Sequence, residues 1–404
     1  MRNEPGAPPD AEFVPLCVPL VRGNEWNYVK ECLDTGWVSS VGSYVDRFER
    51  ELAQRAGTPH AVATVNGTSA LHIALLVAGV QPDDEVLVST LTFIAPANAI
   101  RYANAWPVFI DAEQSTWQMD PTRVAEFLRE SCERRDGVLR NRRTGRRVKA
   151  IVPVHILGHP VDMDPILALA REFDLTVIED ATESLGARYR GRPVGSLGDL
   201  ACFSFNGNKI ITTGGGGMIT TANSEWARKA KYLTTQAKDD PLEYEHHEIG
   251  YNYRLTNIQA AMGCAQLEQL DDYIASKRET ARFYAEAFAD IPGITPLPHA
   301  PWAESIDWMF TIRVDEVEFG IGSRTLLRRL EAEKIQSRPL WQPMHRSPAH
   351  TGVEVVGGEV AEALCRECLS LPCSVGITAD ERERVVAAVQ RAQRSASQKQ
   401  CLSS

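Results

Sequence analysis

From Glu25 to Thr35, and again from Tyr44 to Ala56, apolar residues recur at helical spacing, which predicts two amphipathic helices separated by a turn region from Gly36 to Gly42. The rhythm then changes. Short apolar runs alternate with helix-length segments: AVATV at 61–65, EVLVS at 85–89, PVFID at 107–111, AIVPV at 150–154, TVIED at 176–180 and ACFSF at 201–205. Several are apolar almost throughout, as in strands buried on both faces. The pattern predicts an α/β fold with a mostly parallel sheet covered by helices on both sides.

A long helical stretch from Asn257 to Ile291 leads toward a second unit. Trp308 to Val314, Ser323 to Lys334 and Asp380 to Gln393 predict a small α+β domain after about residue 290. The expected division is a mobile start at 1–12, a large domain at 13–290, a small domain at 291–393 and a frayed polar tail at 394–404. The basic segment Cys132 to Lys149 reads as a solvated surface insertion rather than a phosphate site. No internal repeat is present.

Composition narrows the function classes. A chain of 404 residues, 44% hydrophobic, can bury a large core, and its net charge of -10 argues against a general nucleic-acid or membrane-surface role. No apolar run is long enough for a membrane span and the first residues are polar and proline-rich, so the expectation is a cytoplasmic protein. Nine cysteines are scattered, with Cys202 and Cys264 inside apolar runs, as reduced thiols serve in a core. Cys365, Cys368 and Cys373 invite a zinc reading, but EVAEALCRECLSLP has helical apolar spacing and no evident fourth ligand. No metal is expected.

In a parallel α/β sheet, ligands bind beyond the carboxyl ends of the strands. Four such places carry chemistry. Asn66-Gly67-Thr68-Ser69 lies between a strand and a helix, where glycine permits close approach and the helix start offers free N–H groups to a phosphate; the same residues also make an ordinary N-cap. Thr92-Phe93 follows EVLVS, and its ring could stack on a planar cofactor or fill core. Asp180 ends an apolar strand and can pair with a protonated ring nitrogen or cap a helix. Lys209 follows Ser204 by five residues on a segment that continues into Gly214 to Gly217, and can form a Schiff base or simply face solvent. Their order along the chain carries more information than any one of them.

In these residues the chain resembles the nucleotide-sugar aminotransferase family of fold-type I pyridoxal-phosphate enzymes, often called the DegT type. The likeness runs from Phe13 to beyond Pro372 and is carried by NGTSALHIAL, TLTFIAPANAI, IEDATESLGA, FSFNGNKIITTGGGGMI and GYNYRLTNIQAA. It implies a seven-stranded, mostly parallel sheet and a smaller C-terminal α+β domain. VSSVGSYVDRFE and FNGNKIITTGGGG are most similar to enzymes that aminate C4 of a UDP-linked 4-keto-6-deoxy-sugar in bacillosamine or legionaminic acid synthesis.

The resemblance further implies pyridoxal 5'-phosphate as cofactor, with Lys209 attached to it and Asp180 on its pyridine nitrogen. Phe93 would stack on the ring. Gly67, Thr68, Ser69 and Ser204 would receive the phosphate, with Asn252 reaching it from the partner subunit of a homodimer. Glu183 stands where many relatives carry Gln or His near the cofactor hydroxyl, and His155, Arg254 and His345 fall in segments that line the substrate region. L-Glutamate is the implied donor and Lys209 the base in both half-reactions. A sugar dehydratase of the same fold resembles this chain less, since its lysine position is a histidine, and intact Lys209 and Asp180 weigh against a non-catalytic regulator. No strand carries the Gly-x-Gly-x-x-Gly turn of a dinucleotide-binding dehydrogenase.

Overall fold

The computed structural model describes residues 12–240 and 242–401. The expected mobile start falls, apart from Glu12, outside the described residues. The apolar runs become buried strands β1 (His60–Thr64), β2 (Glu85–Ser89), β3 (Trp106–Ile110), β4 (Val148–Val152), β5 (Thr176–Asp180) and β6 (Leu200–Ser204), joined by β7 (Gly217–Thr221) and β8 (Val355–Val356). They form one sheet in the order β1-β7-β6-β5-β4-β2-β3-β8. Seven are the strands of the expected sheet. The eighth is a two-residue edge that comes from within the C-terminal portion and runs parallel to β3.

Only β7 runs antiparallel to its neighbours β1 and β6. Its sequence, GMITT, opens on glycine and has threonine or glycine at three of its five positions, so it lacks the apolar run that marks the other strands. The consequence for the site is direct. A β6-to-β7 connection between antiparallel neighbours needs no crossover helix, so residues 205–216 form a loop folded over the carboxyl end of the sheet, and that loop holds Lys209.

Helices α1 (Glu25–Thr35) and α2 (Ser43–Ala56) match the apolar periodicity and pack on α4 (Asn257–Leu267), while α3 (Gly67–Val77) lies against the sheet. The long helical stretch is two helices, α4 and α5 (Leu270–Phe288), not one. Gly263 of α4 is required there, because a Cβ would stand 2.7 Å from the Phe48 ring. A four-stranded antiparallel sheet follows, ordered Ile294–Pro296, Thr311–Val314, Cys368–Ser370, Arg338–Pro339, with helices Ser323–Ala332 and Ala379–Cys401.

Three local expectations are corrected. The basic insertion is not an unstructured loop but a hairpin, Cys132–Arg135 with Val138–Asn141, pinned by the buried Asn141 to Glu85 at 2.9 Å and to Glu354 at 2.6 Å. The helical spacing across EVAEALCRECLSLP stops at Glu367, and Cys368 opens a strand. The polar tail continues the last helix as far as Cys401. Among the described residues no helix is long and apolar enough to cross a membrane.

Candidate active site

The carboxyl ends of β5 and β6, the start of α3 and the residues after β2 enclose one cavity of ≈ 460 Å³. Gly67, Thr68, Phe93, Asp180, Glu183, Ser204 and Lys209 all line it. Seven residues singled out from separate stretches of sequence are thus brought together by the sheet.

The α3 start is built for close approach. Asn66 caps it, its Oδ1 accepting the Ser69 N–H at 2.8 Å, which leaves the Gly67 and Thr68 N–H groups in the partnerless first turn beside the cavity. A side chain at Gly67 would put its Cβ 2.9 Å from Ser204 Cβ, so only glycine lets the two segments meet. Ser69 itself is buried just behind and is not among the lining residues. Partial positive charge at a helix start, with the Thr68 and Ser204 hydroxyls, suits a phosphate.

At the other end of the cavity, Asp180 is buried and accepts the Thr182 N–H at 3.1 Å. Burial pushes its carboxyl above the usual carboxylate range, against the opposing pull of its bond to Thr182 and the Lys209 charge. Glu183 is likewise pushed up by burial; its Oε2 accepts the Leu157 N–H at 2.9 Å and its Oε1 lies 3.4 Å from Lys209 Nζ. Two buried carboxyls facing one lysine lack full positive compensation. A protonated pyridine nitrogen would supply it, so this donor set fits pyridoxal phosphate. Phe93 is 55% exposed at the cavity wall, an apolar face of the kind a planar ring covers.

The lysine loop is held from the C-terminal portion. Trp308 Nε1 donates to the Asn208 carbonyl at 2.8 Å, and Lys209 Nζ lies 4.1 Å from the centre of the Trp308 ring. Trp308, Trp341, Asn206, Asn208, Thr92 and Thr182 line the cavity without having been picked out from sequence as site residues. Asn206 and Asn208 sat inside the quoted motif. The two tryptophans arrive from distant stretches with no local pattern to announce them.

Besides Ser69, four predicted site residues are not brought to this cavity. His155 is fully buried: its Nδ1 accepts the Val161 N–H at 3.0 Å, so Nε2 carries the proton and meets Glu179 Oε2 at 3.1 Å. With both ring nitrogens used inside the core, it has nothing to offer a substrate. His345 is tied at 2.8 Å to Thr90 Oγ1 and at 3.0 Å to Glu362. Asn252 is exposed and bridges to Thr235, away from this chain's own cavity. Arg254 Nε is buried without a hydrogen-bond partner among the described residues.

Fold and site together define a fold-type I pyridoxal-phosphate enzyme. The chain belongs to the DegT/DnrJ/EryC1/StrS aminotransferase family, whose profile matches residues 19–390. It is therefore an aminotransferase that uses pyridoxal phosphate. It is 41% identical to the GDP-perosamine synthase of Caulobacter vibrioides, over 94% of this chain and 98% of that protein. It is 39% identical to the GDP-perosamine synthase of Escherichia coli O157:H7, over 84% of this chain and 88% of that one. Among solved structures, DesI in the presence of its TDP-sugar product is similar with a TM-score of 0.86 at 28% identity, covering 99% of this chain and 97% of that chain. DesV of S. venezuelae gives 0.82 at 31% identity, over 92% and 94%.

Proposed function

We propose that this enzyme moves an amino group from L-glutamate to the C4 keto carbon of a nucleotide-linked keto-deoxy-sugar, in the cytoplasm, as a homodimer with shared active sites. The observation that carries the reading is the single cavity in which Lys209 faces Asp180, Glu183 and the α3 start. The nucleotide is guanosine diphosphate rather than the uridine form suggested by VSSVGSYVDRFE. Two GDP-perosamine synthases at 41% and 39% identity favour it.

When bound, the cofactor supplies an electron sink for the carbon that loses its proton. The chain's own residues do the rest. Gly67 and Thr68 N–H groups with the Thr68 and Ser204 hydroxyls would hold the phosphate, Asp180 would accept the ring N–H⁺, and Phe93 would cover the ring face. Lys209 holds the cofactor through Nζ; once released, the same amine takes the α-proton of the donor and later returns a proton to the sugar carbon. Glu183, 3.4 Å from Nζ, keeps that amine directed into the cavity. The 4.1 Å approach of the Trp308 ring confines it from the other side.

Homodimerisation rests on Asn252, which is exposed and is not among the residues lining this chain's cavity, and on the nearby unpartnered Arg254 Nε. Exposed apolar side chains at Trp26, Trp37, Val41 and Ile249 give a second copy something to cover. The deciding experiment incubates the holoenzyme with L-glutamate and GDP-, UDP- or dTDP-linked 4-keto-6-deoxy-sugars, then determines product mass and regiochemistry. Amination of the GDP sugar at C4, with 2-oxoglutarate formed in equal amount, is expected. Preferential use of the UDP sugar would overturn the nucleotide assignment, and no amination of any sugar would sink the reading.

A further inference from the structure

Behind the lysine loop lies a buried cluster that the transamination chemistry does not use. Lys277, on α5, is 1% exposed. Its ammonium donates to the carbonyl oxygens of Trp308 at 2.8 Å and Cys373 at 2.5 Å, and reaches Cys17 Sγ at 3.3 Å. Cys373 Sγ lies 3.7 Å from the same nitrogen. The two carbonyls occupy two of the three N–H donors, and the third falls to sulfur. Among the described residues no carboxylate pairs with Lys277. A buried ammonium needs an anionic partner, and in this cluster only a thiolate can provide one.

Cys17 fits that role. It is half-buried rather than sealed and accepts from the Lys277 ammonium at 3.3 Å; the neighbouring Cys373 thiol together with the Lys277 charge lowers its pKa against the opposing effect of burial. The neighbouring Cys17 and burial push Cys373 up, so it stays a thiol, with the Trp308 carbonyl as an acceptor 3.7 Å from its sulfur. The backbones run side by side, with Cys373 N–H bonded to Leu16 O at 2.8 Å and Val18 N–H to Ser374 Oγ at 3.0 Å. Both sulfurs contact the same Lys277 nitrogen, Cys17 at 3.3 Å and Cys373 at 3.7 Å, which brings the two thiols together at one point in the core.

We propose that Cys17 and Cys373 form an oxidisable dithiol, activated by the buried Lys277 ammonium, that closes to a disulfide with a peroxide as the oxidant. The Cys17 thiolate attacks the O–O bond of hydrogen peroxide, giving S–OH and hydroxide, and the hydroxide takes a proton from Lys277 and leaves as water. Cys373 sulfur then attacks the sulfenic sulfur; the S–S bond forms, and the departing hydroxyl leaves as a second water with the Cys373 proton. Two thiol sulfurs are oxidised by two electrons and one peroxide is reduced to two waters. Lys277 ends neutral, as it must once its counter-ion is consumed. The site adjoins the catalytic loop: Cys17 Sγ is 3.5 Å from the carbonyl of Asn208, which precedes Lys209.

The test treats the holoenzyme with hydrogen peroxide, blocks remaining thiols with N-ethylmaleimide, and maps a non-reducing digest by mass spectrometry. The expected result is a Cys17–Cys373 linked peptide pair, lighter by two hydrogens and separated by dithiothreitol. In Lys277→Met, which keeps both thiols, the link should form more slowly by on the order of tenfold. Recovery of both cysteines as maleimide adducts after peroxide, or of over-oxidised Cys17 beside a free Cys373, would overturn the proposal. An unchanged rate in a folded Lys277→Met would remove Lys277 as the activating group; if that variant does not fold, the wild-type map still decides whether the disulfide exists.

Discussion

Trp308 donates its indole N–H to the carbonyl of Asn208 at 2.8 Å, so a residue from the C-terminal portion fixes the peptide that carries Lys209. Trp308→Phe keeps an aromatic ring near Nζ and removes this bond. A single buried hydrogen bond contributes about 1 kcal/mol, so cofactor Kd should rise by about fivefold, read by titrating cofactor-free protein and following visible absorbance. Unchanged affinity and turnover would show that the bond does not position the lysine.

Asp180 and Glu183 set stability against activity. Burial raises both carboxyls above their ordinary values of 3.8 and 4.5. A group whose folded pKa is raised binds more protons folded than unfolded, so its stabilising contribution is complete below the ordinary value and is lost as pH rises through the folded one. Cofactor-free protein should therefore lose stability upward from those values. Asp180→Asn and Glu183→Gln should each raise Tm of the cofactor-free protein at neutral pH, with the gain shrinking in acid. Asp180→Asn should also slow turnover on the order of a hundredfold, because a neutral amide no longer favours the protonated ring nitrogen. Wild-type turnover in Asp180→Asn would reduce Asp180 to a structural carboxylate.

His155 should behave as a core residue. Glu179 is held by His155 at 3.1 Å and by the N–H groups of Gly195, Leu197 and Gly198. Removing the ring in His155→Ala opens a cavity and deletes a charge-assisted bond, costing about 2–4 kcal/mol. Denaturant unfolding should register the loss while KM for both substrates holds. A raised KM with unchanged stability would return His155 to the substrate contacts.

The shared-site proposal has an arithmetical consequence. Mixing Lys209→Ala chains with sufficiently impaired Asn252→Ala chains gives heterodimers with one doubly defective site and one intact site, so activity should reappear once differently tagged chains show subunit exchange. If Asn252 serves its own chain, every heterodimer site carries one defect. Exchange without recovery would then refute the shared site.

The sequence read best where chemistry and periodicity coincide. EVLVS and TVIED are strands to the residue, because each holds an apolar run buried on both faces of the sheet, and the residues after them line the cavity. β7 was illegible because GMITT owes its place to pairing with β1 and β6 rather than to its own pattern. His155 and His345 misled for a related reason. Lying in the right segment does not fix which way a ring faces, and each finds its partners within the chain, at Glu179 and at Thr90. Trp308 and Lys277 could not be found locally at all, since their roles depend on contacts with Asn208 and Cys17, 100 and 260 residues away.

The central claim, that Lys209 holds the cofactor, is tested most directly by reducing the holoenzyme with sodium borohydride and locating the cofactor by peptide mass mapping. The expected result is a single modified peptide, carrying the phosphopyridoxyl group on Lys209 and missing from the Lys209→Ala protein. A label on another lysine, or no covalent label at all in active enzyme, would contradict it.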